Sequence, residues 1–235
     1  MLSDFITLRQ LTILPFFMKH YQTRDFAEMD KIFRLNLINS CTGYKSANLL
    51  ATRSATGKTN VAVFNSVMHL GSNPPLLGFI LRPATIPRNT FKNIKKTGVF
   101  TINHIHQDMI KQAHQTAAKY EENISEFHKT GLEEEYLDDF YPPYVKQSSI
   151  KMGCRYLNEY HITENDTVLV VVEIEHIYFE EGIQMPDGWL RLDDAGTVAI
   201  NGLDGYALPT LLDRFHYAKP EIEIKSFFKE DKTKK

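Results

Sequence analysis

The largest absence in this chain is acidic. Between Asp30 and Asp108 there is no carboxylate, and the 77 residues from 31 to 107 hold ten cations: Lys31, Arg34, Lys45, Arg53, Lys58, Arg82, Arg88, Lys92, Lys95 and Lys96. The whole chain of 235 residues has net charge −2, so the remainder carries 17 basic and 29 acidic side chains, or −12. Such segregation points the first half at something negative. Cysteine is equally scarce. Cys41 and Cys154 are too few for a disulfide framework, and both lie in apolar stretches. They read as buried free thiols, which suits a reducing cytoplasm.

Long apolar runs are missing too. "LTILPFF" at 11–17 is broken by Pro15 and falls far short of the roughly 20 residues of a spanning helix. It has no basic n-region or small-residue cleavage site, so neither a membrane segment nor a targeting signal is expected. Met18 opens "MKHYQTRDF", and residues 1–17 are read as a start-site extension or loose arm. Residues 18–220 are expected to form one domain, and 221–235 a charged tail ending in "KEDKTKK". Zinc-ligand spacing, helix-turn-helix and RNP-type aromatic patterns are absent, so nucleic acid is not expected as the partner. A Walker A loop, GxGxxG, nucleophile elbow and Ser-His-Asp order are absent as well. An enzyme with no evident acid–base constellation is often one whose cofactor carries the reaction.

What is present is rich in β signals. "ANLLATRS" (47–54) and "TNVAVFNSVM" (59–68) flank "ATGK" and predict a hairpin. "PLLGFILR" (75–82) is an almost continuous apolar strand. "RNTFKNIKKTG" (88–98) places Phe91 and Ile94 at helical spacing and stops at Gly98. "VFTINHI" (99–105) returns as a strand, and "IKMGCRYLNEYHI" with "DTVLVVVEIEHIYFE" form a second, longer hairpin. Residues 25–39 are expected to begin as a short helix and pass into the first strand. About six strands with short helices between them suggest a closed or partly closed antiparallel barrel with appended helices.

Three stretches carry candidate chemistry. The strand at 59–68 puts Val61, Val63 and Asn65 on one face and Asn60, Ala62, Phe64 and Ser66 on the other, and its small or polar residues near the end would let backbone and side chains approach a planar ligand. The turn "GSNPP" offers Ser72 and Asn73 to nearby amides. "RPATIPRNTFKNIKK" (82–96) holds five cations and no anion, with Arg88, Asn89 and Thr90 at the start of a helix. Free N–H groups, a guanidinium fork and a hydroxyl there suit a phosphate. His104 and His106 share one strand face, with His114 following, but no Cys or carboxylate joins them at ligand spacing. No metal site is assigned.

In order, these stretches resemble the flavin reductase-like family of FMN-binding split barrels. The Thr56-Gly57 turn, Ser66, Pro74-Pro75, Thr90, "TGVFTIN", Cys154, Glu173 and "GLDGYAL" match soft motifs over residues 35–210, while Asn165-Asp166-Thr167 departs from a Gly-Asp-His form. The resemblance implies a mainly β fold, a six-stranded antiparallel barrel of Greek-key type. It implies a homodimer with FMN, rather than FAD, near the interface, and contacts from 60–66, Val67 and Ser72. Phosphate contacts would come from Ser66, Arg88, Asn89 and Thr90. It further implies hydride transfer from NADH or NADPH with no catalytic side chain, His69, Arg82 and Tyr206 lining the nicotinamide side. The alternative is a non-enzymatic FMN-binding electron carrier. A phosphate would account for the acid-free half, because a like charge 4 Å away costs on the order of 4 kcal/mol at an effective dielectric of about 20.

Overall fold

The computed structural model describes residues 18–83, 89–121 and 124–228. Two helices open it, α1 (Thr23–Glu28) and α2 (Lys31–Cys41), followed by strands β1 (Tyr44–Ser46), β2 (Asn48–Arg53), β3 (Thr59–Phe64), β4 (Met68–Ser72) and β5 (Pro75–Leu81). Helix α3 (Asn89–Thr97) and strand β6 (Val99–His104) come next, then α4 (Ile110–Gln115), α5 (Glu126–Thr130) and the short strands β7 (Glu134–Glu135) and β8 (Tyr144–Val145). The long strands β9 (Ile150–Ile162) and β10 (Thr167–Phe179) precede a last ribbon, β11 (Ala199–Asn201) and β12 (Gly205–Ala207). No described helix is long and apolar enough to cross a membrane.

Seven strands form one antiparallel sheet in the order β3-β2-β6-β9-β10-β5-β4. Consecutive strands β3 and β4 therefore stand at opposite edges. Three residues, 65–67, join them, a span of about 14 Å at most, whereas the edges of a flat sheet of this size lie roughly 29 Å apart. The sheet must curl until its edges approach. Phe64 of β3 meets Phe79 of β5 edge to face at 5.6 Å, and Phe79 meets Phe100 at 5.7 Å. That aromatic stack sits inside the curl with Leu50, Ile94, Ile102, Cys154, Val170 and Val172. A second core lies on the other face of β2 and β3, where Leu49, Ala51 and Val61 meet Met109 and Ala113, Phe127 of α5, and Ile200. β2 is thus buried on both faces.

Three expectations need correction. Residues 25–39 do not pass into a strand. The Asp30 side chain accepts from the N–H groups of Ile32 and Phe33 at 2.9 and 3.0 Å, capping a helix that continues to Cys41. Cys41 is exposed rather than buried, whereas Cys154 is buried and its thiol is pushed far up by desolvation. The run 59–68 also breaks in two at Asn65–Val67, which makes seven strands of the six foreseen.

Candidate anion cleft and its surroundings

Helix α3 forms because Ile94 packs into the inner core while Lys92, Lys95 and Lys96 leave it on the far side. It ends where Gly98, at φ +78°, donates its N–H to Ile94 O at 2.8 Å. Two buried side-chain pairs pin it to the first hairpin: Asn93 Nδ2 donates to Thr52 Oγ1 at 2.9 Å, and Asn60 and Thr90 meet at 3.0 Å. Between helix and hairpin turn lies a cavity of about 640 Å³, lined by Ser54, Thr56, Lys58, Asn60, Asn89, Asn93 and three lysines of α3, among others. None of its lining residues is acidic. Lys95 is also tied to β9, donating to Tyr156 Oη at 2.9 Å and Glu159 Oε2 at 3.0 Å. Four ammonium groups around amides and hydroxyls make a site suited to an anion.

Asn60 joins three elements. One end of its amide is 3.0 Å from Thr90 Oγ1, and the other is 3.0 and 3.2 Å from the two carboxyl oxygens of Glu126. Glu126 is half-buried at the start of α5. Burial holds its carboxyl above the usual range, opposed by its own N–H, by the N–H of Val61 and by Lys58.

The foreseen site residues fall into separate groups. Asn60 and Asn89 line the cavity, and Thr90 is buried behind it, in contact with Asn60. Val61 is fully buried in the second core, while Ala62 is partly open on the other face of β3. Ser66 and Val67 lie at the seam between the sheet edges: Ser66 Oγ donates to Ile80 O and accepts from Ile80 N–H, and Val67 O accepts from Ser46 Oγ at 2.7 Å. Asn65 Nδ2 donates to Gly202 O at 2.9 Å and so holds the β11–β12 turn. Tyr206, on β12, lies 3.3 Å from His114 Nδ1, its phenol pushed up to about 12 by burial with Asp204 adding. His69 and Ser72 are exposed on the edge strand β4. His69 pairs with Leu77, five residues before Arg82, so those two are roughly 17 Å apart along the sheet. Arg88 lies outside the described residues, as do residues 1–17. Glu173 is paired with Arg155 on the neighbouring strand.

Sequence reasoning missed Glu126, Asn93 and Lys58. Glu126 stands 66 residues from Asn60, in a segment with no motif to mark it. Asn93 had a usable signal, being one helical turn from Asn89 on the face beside Ile94.

One large antiparallel sheet with few helices, and a lysine-lined cleft between its first hairpin and a short helix, define a mainly β class of protein. The chain belongs to the flavin reductase-like family: residues 44–197 match the model of the flavin reductase-like domain. It is similar to a split-barrel protein from Shewanella frigidimarina NCIMB 400, provisionally assigned as a flavin reductase, with 43% identity and a TM-score of 0.83 over 86% of this chain and 100% of that one. It shares its fold with the flavoredoxin of Desulfovibrio vulgaris (Miyazaki F), with 19% identity and a TM-score of 0.62, over 76% of this chain and 91% of that one. The FMN-binding protein of Thermus thermophilus has the same fold at 16% identity and a TM-score of 0.60, covering 72% and 89% of the two chains. A comparison with curated proteins finds no match.

Proposed function

We propose that the protein is an NAD(P)H-dependent flavin oxidoreductase that holds FMN with its phosphate at the start of α3. The observation that carries this is the acid-free, lysine-lined cavity beside Asn60, Asn89 and Thr90. When bound, the flavin supplies the redox chemistry, accepting hydride from the reduced nicotinamide. The chain's own residues bind and orient. Lys58, Lys92 and Lys96 offset the phosphate charge, and the first N–H groups of α3 add partial positive charge. The inner face of β3, from Asn60 through Ala62 to Phe64, runs about 13 Å from the cavity toward the seam and gives a planar ring a shallow wall. No protein proton donor is required, and a phenol as hard to ionise as that of Tyr206 fits that role-free assignment.

The active unit in this reading is a homodimer. The outer face of β10, β5 and β4 is apolar: Leu169 stands opposite Ile80 and Tyr160, and Val171 opposite Gly78, which faces Met68. A Cβ on Gly78 would lie 3.0 Å from Leu70 and 3.1 Å from Leu169, so the glycine lets those two leucines close over it. Met68 and Leu70 remain more than 40% exposed in a single chain. A patch of this kind marks an interface.

A second reading remains: an FMN-binding electron carrier reduced by another protein, favoured by the shared fold with a flavoredoxin. The site itself is tested by equilibrium titration with FMN and riboflavin. Arg88→Ala combined with Thr90→Ala should weaken FMN by about 10²-fold or more and riboflavin little, since only FMN has the phosphate. Equal losses for both flavins would move the phosphate elsewhere.

A further inference from the structure

We propose that Glu126 is a positioning residue for the flavin phosphate, its proton setting whether the Thr90 hydroxyl faces that phosphate as donor or acceptor. The inference rests on the flavin reading above. The Asn60 amide has one donating and one accepting end, and its neighbours leave two arrangements. An ionised Glu126 has only acceptors, so the amide turns its NH₂ to the carboxylate, at 3.0 and 3.2 Å, and its oxygen to Thr90, at 3.0 Å, and to the Val61 N–H, at 3.2 Å, a contact that the reversed arrangement gives up. Thr90 then donates its single proton to Asn60 and keeps only lone pairs for anything at the start of α3. A protonated Glu126 reverses the chain. Its hydroxyl donates to Asn60 Oδ1, Asn60 Nδ2 donates to Thr90 Oγ1 at 3.0 Å, and the Thr90 proton is released toward a phosphate oxygen. The two states differ by one proton from solvent and by a flip of the Asn60 amide that exchanges its nitrogen and oxygen.

The surroundings leave both states accessible. Lys58 from the first hairpin turn, the Val61 N–H on β3 and the Glu126 N–H favour the carboxylate, and burial opposes it. Nearby, Glu134 accepts from Thr59 Oγ1 at 2.5 Å, and that hydroxyl also meets Ser125 at 3.1 Å. On α4, which packs against α5, the titratable side chains are Lys111 and His114, and His114 is turned to Tyr206. By linkage, phosphate binding and protonation of Glu126 favour each other. FMN uptake should therefore draw a proton, and FMN affinity should weaken as Glu126 ionises. Glu126→Gln mimics the protonated state. Its carbonyl oxygen keeps the two backbone N–H groups, which leaves its NH₂ facing Asn60.

The test measures FMN and riboflavin dissociation constants for the full chain, Glu126→Gln and Thr90→Ala from weakly acidic to weakly alkaline pH. Titration of the FMN phosphate itself is common to all three. The wild-type preference for FMN over riboflavin should fall about tenfold relative to Glu126→Gln as pH rises, the worth of one hydrogen bond to a charged acceptor. In the flavin-free protein, the Asn60 side-chain ¹⁵N resonance should titrate in wild type and stay fixed in Glu126→Gln. Parallel pH profiles for wild type and Glu126→Gln, with Thr90→Ala still selectively weakening FMN, would reject the switch and leave the flavin site standing. Thr90→Ala weakening both flavins equally would remove the phosphate from Thr90, and the switch with it.

Discussion

Ser66 Oγ donates to Ile80 O at 3.2 Å and accepts from Ile80 N–H at 3.1 Å, so one side chain takes the place of a strand rung where the two sheet edges approach. Its only proton is committed to β5. Ser66→Ala should cost about 2 kcal/mol of stability, since it leaves two backbone groups without partners. The selective loss of FMN over riboflavin should be smaller than for Thr90→Ala. Urea unfolding and parallel flavin titrations check both halves. A stable variant that selectively loses FMN would make Ser66 a phosphate ligand instead.

His104 ends β6 opposite Asn48, and its buried Nδ1 has no hydrogen-bond partner among the described residues. Desolvation lowers its pKa from 6.5 to about 4. The unfolded imidazole takes up a proton below pH 6.5 that the folded one refuses until about pH 4. Stability attributable to His104 is therefore complete above 6.5 and declines through that window, by at most about 3 kcal/mol. His104→Asn should flatten this part of the urea-denaturation profile against pH. Parallel profiles for wild type and variant would assign the acid loss to other groups.

The apolar outer face predicts assembly. Light scattering should give twice the chain mass, and Leu169→Lys should shift the protein toward monomer by placing a charge beside Leu70 and Ile80. Monomeric wild type with FMN still bound would rule out a site built at an interface.

If the flavin carries the redox step, no single titratable side chain is indispensable. Tyr206→Phe and His69→Gln should slow hydride transfer by no more than roughly 5- to 150-fold, the worth of an orienting contact. Loss of an obligatory proton donor costs about 10² to 10⁴. Anaerobic stopped flow with FMN saturating separates the two: a fall beyond about 10³-fold would place a protein acid in the mechanism.

Much of the fold was legible because its signals are local. The "ATGK" turn and the Gly98 stop each depend on neighbouring residues. The break at Asn65–Val67 was not, since nothing in "FNSVM" forbids an extended strand and only closure of the sheet bends it. Residues 25–39 misled because "RLNLIN" alternates apolar and polar residues like a strand, while the helix is decided by Asp30 capping two N–H groups. Site residues divided the same way. Asn89 and Thr90, proposed to face the phosphate, could be read from a helix start, but Glu126 reaches Asn60 only through tertiary packing. The bond from the Asn65 amide to Gly202, 137 residues away, likewise has no local signal.

The most direct test of the central claim is anaerobic mixing of the FMN-loaded protein with NADH, and separately with NADPH, while following the flavin's visible absorbance. The account predicts bleaching by at least one nicotinamide at a rate that supports turnover, and recovery of the band when oxygen is admitted. Bound FMN that stays oxidised with both nicotinamides, yet bleaches with dithionite, would contradict it and leave a carrier reduced by another protein.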